Sequence, residues 1–481
     1  MRFTALPALA CALSTLVGCA TNPATGRREI TLMSESQEVA LGKESDAQVR
    51  QEMGLYDDPD LQRYVSGIGL RLAKLSERPN LPWQFAVVDQ AAINAFALPG
   101  GFIYVTRGIL PYLDSEAELA GVLGHEIGHV TARHSAQQYT RQLGGTVGLI
   151  ALGVFVPAAR PFGEASQQVM GLLFLKYGRD DELQADSLGV RYAGLGNWDP
   201  EGVPGMLTTL GRLDEAAGDR KGVPNFLSTH PEPLARVKEI GPQVQKAKAG
   251  KSGFVTDRAA LRGQVDGIIF GDNPAQGIVR GTTFLHPPLR FRIDFPSGWQ
   301  VANSAQQVVS KAPNADVYEI LQLVSQPQGS SVEDIGVASM QKAGFRLVRG
   351  ERANVAGLDA HVGEYEGMIE GLGDVRSRAT HVRHGDNVYM IAGLAAPALF
   401  SQYDAGFGTS QRSFRPLSAS EADAIKPARI SLYTVRPGDT WQSLAGRSGG
   451  AITAAALAAM NQADGGAQPQ AGAQIKVVVA G

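Results

Sequence analysis

His125-Glu126-Ile127-Gly128-His129 is the stretch that most restricts what this chain can fold into. Around it, Leu119, Val122, Leu123, Ile127 and Val130 fall at helical spacing, and Ser115 with Glu118 predicts a capping box at the helix start. On a helix, positions i and i+4 share a face, so His125 and His129 project toward one point. Two neutral imidazoles there can grip a zinc ion, and a glutamate between them can activate a water held by the metal. H-E-x-x-H also arises by chance, so its surroundings decide. A later predicted helix carries Arg179-Asp180-Asp181-Glu182-Leu183-Gln184-Ala185-Asp186. Glu182 there would complete a His-His-Glu set and leave a fourth position for water. Asp186, one turn on, can accept a hydrogen bond from the non-ligating nitrogen of a histidine and fix its tautomer. His134 stands about 140° around the helix from His129 and is not assigned to the metal. For Arg179 an ion pair within the helix pair is expected.

The rest of the chain divides by pattern. A helix is predicted from Ser34, where Ser34 and Gln37 can form a capping box. A second helix follows Asp57-Asp58-Pro59, with Leu61, Val65, Ile68, Leu72 and Leu75 as its buried stripe. Phe85 to Val88 and Phe102 to Val105 read as strands, the second preceded by Asn94-Ala95-Phe96-Ala97-Leu98 and a Pro99-Gly100-Gly101 turn. A strand pair just before the histidine helix predicts a sheet edge beside the site, to which an extended peptide could add. Leu143 to Val156 is apolar and glycine-rich but too short to cross a bilayer; it reads as a buried helix or flap, with a lid or a membrane-facing surface as the alternative. Gly171 to Tyr177 is a second apolar run. Residues 249–279 read as a linker with short helices. Beyond it, Phe291–Phe295, Val317–Val324, Val355–Tyr365 and Val388–Gly393 read as strands, with a helix from Val332 to Ala343. Residues 280–416 are therefore expected to form a separate α+β domain, distantly similar in layout to PsbP- or Mog-like folds. Its histidines, His286, His361, His381 and His384, are expected at the surface or hydrogen-bonded.

Charge and cysteine usage exclude some functions. A net charge of −3 argues against a general nucleic-acid binder, which carries a basic surface. The two cysteines, Cys11 and Cys19, both lie in the N-terminal segment, so the remaining chain has neither a disulfide nor a cysteine nucleophile. That segment has Arg2 followed by a short apolar run, the pattern of a secretory signal peptide over residues 1–18. Its ending, Leu16-Val17-Gly18-Cys19, resembles a bacterial lipobox. The resemblance implies cleavage before Cys19, lipidation of its thiol and, with Ala20 rather than aspartate next, an outer-membrane destination. Residues 19–33 would then be a lipidated tether.

At the metal-site residues a more specific resemblance appears. His125-Glu126-x-x-His129 with Glu182-x-x-Ala185-Asp186 is similar to the zinc peptidases of the HtpX and CAAX-prenyl-endopeptidase family (gluzincins), and in particular to their soluble, periplasmic BepA-like branch. Asn94-Ala95-Phe96, Pro99-Gly100-Gly101 and Thr229-His230-Pro231 match that branch as well. The resemblance implies one Zn2+ held by His125, His129 and Glu182, with Glu126 catalytic. It places Asn94 by the peptide-binding edge. It gives His230 a role as a latch on the open zinc position or as an oxyanion stabiliser. BepA-like proteins often continue into tetratricopeptide repeats, and no such repeat is present here.

The C-terminal segment, 428–479, contains Gly438-Asp439-Thr440 and a spaced Asn461 in a strand-helix-helix-strand pattern. It resembles a LysM domain, a family that binds N-acetylglucosamine-containing glycans such as peptidoglycan, and Gly438, Asp439, Thr440 and Asn461 are its glycan-binding candidates. The expected fold class is multidomain α+β: a mainly helical zincin-type peptidase domain with a small edge sheet (34–248), an α+β domain, and a small βααβ LysM-like domain. The expected function is zinc-dependent endoproteolysis of misfolded or misassembled envelope proteins by a lipid-anchored periplasmic protein. The alternative is a largely latent chaperone or peptidoglycan-associated assembly factor with its zinc site blocked by His230.

Overall fold

A computed structural model of the chain describes residues 19–30, 33–138, 177–217, 226–325, 327–369, 371–463 and 466–481. The signal segment, the Leu143–Val156 run and all of Gly171–Tyr177 but its last residue lie outside the described residues. Among the described residues no helix is long and apolar enough to cross a membrane. The chain is a multidomain α+β protein: a helical N-terminal unit, a sheet-rich middle region and a small C-terminal module.

A short hairpin, β1 (Cys19–Thr21) and β2 (Arg28–Ile30), leads into α1 (Glu35–Met53), which carries the predicted Ser34/Gln37 capping box. Helix α2 (Pro59–Ala73) buries Leu61, Val65, Ile68 and Leu72. Burial of four such side chains is worth roughly 6–12 kcal/mol as an upper estimate. Leu75, expected in the same stripe, lies past the helix end and is 38% exposed. Strands β3 (Gln84–Val88), β4 (Ala95–Leu98) and β5 (Phe102–Thr106) form a sheet of order β3-β5-β4, with β4 at the edge. Gly100 (φ 80°) and Gly101 (φ 103°) make the β4–β5 turn in left-handed conformations.

Helix α3 (Glu116–Thr131) is buried from Ala117 to Thr131 on all sides, as its near-continuous apolar composition requires. Helix α4 (Arg179–Leu195) packs against it backbone to backbone. A Cβ on Gly124 would stand 3.1 Å from the Gly189 Cα, and one on Gly128 would stand 3.0 Å from the Ala185 Cα. This small-residue seam brings His125 and His129 within reach of Glu182. Helix α5 (Gly202–Ala217), the short α6 (Phe226–Thr229) and α7 (Pro233–Lys248) complete the unit. Arg179 pairs with Glu239 of α7 and with Glu232, as expected for a helix-pair ion pair.

The capping at the start of α3 differs from the expected box. Ser115 does accept from the Glu118 N–H at 3.2 Å. The Glu118 carboxylate, however, accepts from the Asp114 N–H at 2.7 Å and from the Gln462 side chain of the C-terminal module. The difference arises because that module is docked on this helix end. Helix α8 (Arg258–Val265) and strand β6 (Ile269–Phe270) follow the N-terminal unit. Strand β6 joins β18 (Ala428–Thr434) and β19 (Gln474–Val479) in one sheet of order β19-β18-β6. Arg262 from α8 and Lys476 from β19 converge on Asp114, and the buried Lys476 amine donates to the Leu113 carbonyl at 2.7 Å. One apolar core runs from Leu61 and Leu119 through Leu261 and Val265 to Ile430, Leu457 and Val478.

The middle region lies between β6 and β18 in the chain. Its strands β7 (Ile278–Arg280), β8 (Thr283–His286) and β9 (Phe291–Asp294) form a sheet with β17 (Arg415–Pro416). A seven-stranded antiparallel sheet contains β10 (Gln300–Asn303), β11 (Gln307–Lys311), β12 (Tyr318–Leu323), β13 (Arg346–Val355), β14 (Leu358–Ile369), β15 (Gly373–His384) and β16 (Asn387–Ala395). Its order is β10-β11-β12-β16-β15-β14-β13. Helix α9 (Val332–Lys342) packs against one face, and α10 (Pro397–Arg412) against the other, with Phe407 lying on Gly393. Val355–Tyr365, expected as one strand, is interrupted by a tight turn at Ala356 (φ 50°) and Gly357 (φ 86°) that pairs Val355 with Leu358. His361 also departs from expectation: it is fully buried, and neither ring nitrogen has a hydrogen-bond partner among the described residues. His381 bonds Ser339, His384 bonds the Leu289 carbonyl, and His286 accepts from the Leu289 N–H.

Candidate metal centre

Four buried side chains meet between α3, α4 and the turn after α6. His125, His129, Glu182 and His230 each present one ligand atom, and these atoms lie within 4.8 Å of one another. His125 Nε2 and His129 Nε2 are 3.0 Å apart. Glu182 Oε1 is 3.4 Å from His129 Nε2 and 2.9 Å from His230 Nδ1. His230 Nδ1 is 3.3 Å from His125 Nε2. Three nitrogens and a carboxylate oxygen with no intervening apolar group match the donor set of a tetrahedral zinc site.

The electrostatics agree with that reading for His129 and Glu182; for His230, burial is outweighed by Glu182 and Glu126, which raise the imidazole above its ordinary value. Burial lowers the His129 imidazole well below its ordinary value, which keeps it neutral and able to ligate. Burial opposes ionisation of Glu182, but His230, His129 and His125 outweigh it and hold the carboxyl well below the usual range. Glu126 points into the same space. Its two oxygens are buried without a hydrogen-bond partner among the described residues, and burial raises its carboxyl above the ordinary range while His230 and His125 pull the other way. An orphaned buried carboxylate costs on the order of 1–3 kcal/mol or more, so it calls for a functional explanation.

Outer contacts orient the ligands. Asp186 Oδ1 accepts from His125 Nδ1 at 2.9 Å, the contact expected of it, and so leaves Nε2 facing the centre. His134, which spacing excludes as a ligand, lies 2.9 Å from His129 Nδ1 and 3.0 Å from the Gln184 Oε1. With Nε2 of His129 toward the centre, its Nδ1–H donates to His134, whose Nε2–H donates to Gln184. Arg236, absent from the sequence reading, is fully buried against Asp186 and Glu182. Tyr177 stacks on the His129 ring at 3.9 Å, and its hydroxyl lies 2.9 Å from the Ser135 hydroxyl. Neither has a spacing rule that links it to H-E-x-x-H.

His230 is held by its own scaffold. The Phe226 ring stacks on it at 4.2 Å, and the Phe226 N–H donates to the Ile93 carbonyl at 2.7 Å. Asn94 follows directly. It is buried at the start of edge strand β4, where its N–H donates to the Thr106 hydroxyl at 3.0 Å and its side-chain oxygen accepts from the Ala95 N–H. The turn that carries His230 is thus pinned next to the strand edge.

The remaining candidates lie elsewhere. Cys19 pairs with Ile30 in the first hairpin. In the C-terminal module, Asp439 accepts from the Arg436 N–H and the Tyr433 hydroxyl, and Thr440 caps the helix Trp441–Gly446. Asn461 pins both the N–H and the carbonyl of Lys476, and Gly438 (φ 89°) forms the turn before the helix. All four glycan candidates are engaged in the module's own fold.

Comparison with known proteins bears on both ends of the chain. Residues 59–243 match the model of Peptidase family M48, and residues 433–478 match that of the LysM domain. The Beta-barrel assembly-enhancing protease of Escherichia coli (strain K12) is 31% identical over 229 residues, 46% of this chain and 46% of that protein. Its counterpart in Yersinia pestis is 32% identical over 238 residues, 47% of this chain and 48% of that protein. The Mitochondrial metalloendopeptidase OMA1 of Arabidopsis thaliana is 30% identical over 238 residues, 46% and 47% of the two chains. The chain spans about half the length of the curated relatives it matches. The solution structure of cyanobacterial PsbP from Synechocystis sp. PCC 6803 aligns with a TM-score of 0.23 and 13% identity over 29% of this chain and 95% of that one. Residues 59–243, which include His125, Glu126 and His129, are thus similar to Peptidase family M48, and residues 433–478 to the LysM domain.

Proposed function

We propose that this protein is a zinc-dependent metalloendopeptidase. The observation that carries the reading is the Glu126 carboxylate, buried without a hydrogen bond among the described residues beside converging His125, His129 and Glu182, with His230 Nε2 3.6 Å from Oε1. Zinc, when bound, supplies Lewis-acid polarisation of the scissile carbonyl and makes water a stronger acid. Glu126 takes a proton from the attacking water and delivers it to the leaving amine nitrogen. Asp186 and His134 hold the two imidazoles in the ligating tautomer. The edge of β4, with Asn94 at its start, aligns an extended peptide by main-chain hydrogen bonds. The test is cleavage of unfolded casein by the full chain: it is expected to stop with a chelator and in Glu126→Gln.

A second feature favours a latent state. His230 Nδ1 lies among the candidate ligand atoms, 2.9 Å from Glu182 Oε1, where with zinc bound it would take the place of a water or substrate oxygen, and its turn is bonded to Ile93 beside the strand edge. The protein is read as a peptidase that opens when this turn moves, and in its closed state as a chaperone or assembly factor. The BepA-like relatives and the LysM domain support a periplasmic envelope location. There the substrates are misfolded or misassembled envelope proteins, Cys19 carries the lipid anchor to the outer membrane, and the LysM module contacts peptidoglycan. Radiolabelled palmitate incorporation, lost in Cys19→Ala, tests the anchor. Sedimentation of the full chain with purified peptidoglycan tests the last point; the full chain is needed because β6 completes the LysM sheet.

A further inference from the structure

Arg236 is 0% exposed, and its guanidinium spreads over three partners. Nε and Nη2 donate to the two oxygens of Asp186 at 2.8 and 2.7 Å. Nη1 lies 2.5 Å from Glu182 Oε2 and donates to the Pro231 carbonyl at 3.3 Å. Each partner controls one group that faces the metal centre. Asp186 orients His125, Glu182 faces the centre itself, and Pro231 directly follows His230. One side chain from α7 therefore fixes the frame of three of the four converging groups.

Fold stability alone does not account for this arrangement. A buried ion pair is often no more stabilising than apolar packing of the same volume, and α7 is already anchored through Ile240 and Val244. The charge pattern gives a better reason. Three carboxylates, Glu126, Glu182 and Asp186, surround the centre against one guanidinium, and a divalent cation balances the remainder. Glu182 Oε2 has no aligned hydrogen bond despite the nearby Nη1, so Arg236 holds that oxygen by charge and leaves its lone pairs free.

We propose that Arg236 is the positioning residue of this centre: a planar fork that sets Glu182 directly, sets His125 through Asp186, and ties the His230 turn to the same frame. A lysine would keep the charge but not the geometry, because an ammonium on a flexible stem cannot hold Asp186 through two parallel bonds.

The inference rests on the reading of the centre as a zinc site. It is tested on the full chain as wild type, Arg236→Lys, Arg236→Gln, Asp186→Asn and the double variant Asp186→Asn/Arg236→Gln. Zinc affinity is read by competition with a chromophoric chelator, ligand geometry by the visible absorption of the Co2+-loaded protein, and turnover by kcat and KM on unfolded casein. Arg236→Lys is expected to keep the unfolding midpoint of the metal-free protein within a few degrees. It should bind zinc roughly 10- to 100-fold more weakly, shift the Co2+ bands, and lose kcat rather than raise KM. If a single variant folds poorly, the double variant removes the unpaired buried charge; it should fold and bind zinc no more weakly than Asp186→Asn. Wild-type zinc affinity and Co2+ bands in Arg236→Lys, or in the double variant, would overturn the role of Arg236. Failure of the wild type to bind zinc would instead overturn the zinc reading beneath it.

Discussion

His230 Nδ1 lies 2.9 Å from Glu182 Oε1 and 3.3 Å from His125 Nε2, inside the ligand cluster rather than beside it. A catalytic zinc site of this donor type keeps one position open, whereas four protein donors make a closed one. The fourth donor comes from a turn rather than from α3 or α4, held by the Phe226 N–H to Ile93 bond, the stacked Phe226 ring and the Arg236 bond to the Pro231 carbonyl. His230→Ala is therefore expected to keep one zinc per chain and to raise casein cleavage by about tenfold, the gain for a latch closed ten times more often than open. Assay of both quantities on the same preparation checks it. A fall in kcat with zinc retained would show that His230 acts on the reacting carbonyl instead.

The LysM module and the M48 domain share one apolar core, with Leu457 fully buried in it. Leu457→Ala removes packing worth about 2–5 kcal/mol. Because the Gln462–Glu118 and Lys476–Leu113 bonds fasten the module to the start of α3, that loss is expected to reach the metal helix. The temperature of zinc release and the calorimetric unfolding midpoint should fall together. Zinc release unchanged while a small separate transition shifts would show that the module folds independently.

Glu319 sits fully buried on β12 under α10, and burial pushes it up to about 8. Ser310 faces it across the sheet, and Ser410 and Gln411 of α10 offset part of that shift. The carboxyl is neutral in both folded and unfolded chains below about pH 4.5. Between there and about 8 the unfolded chain gives up its proton first, so stability of the middle region falls, then levels off. Urea unfolding followed by Trp299 fluorescence should show this decline in wild type and a much flatter profile in Glu319→Gln. Equal slopes in the two proteins would contradict the buried neutral acid.

The convergence of His125, His129 and Glu182 is legible because they obey a short-range rule: i and i+4 on one helix, then a carboxylate with its partner one turn on. Arg236 was not, since an arginine in a polar helix reads as a solvated face until Asp186 is placed opposite it. His134 falls off the ligand face by spacing, and its place behind His129 depends on Arg133 (φ 63°) turning the chain back at the helix end. In the middle region, β13 and β15 escaped notice because charged residues such as Arg349, Arg376 and Arg378 fill their alternate positions. Docking of the C-terminal module was hidden for another reason. Its third strand, β6, is two residues long and lies on the far side of the middle region in sequence.

Glu126 is expected to perform proton transfer at a zinc held by His125, His129 and Glu182. The direct measurement is zinc content together with casein cleavage for the full chain and its Glu126→Gln variant. One chelatable zinc per chain is expected in both proteins, with cleavage in the wild type that a chelator abolishes and a loss of about 10²–10⁴-fold in the variant. Cleavage that persists in Glu126→Gln, or a wild type that cleaves without zinc, would contradict it.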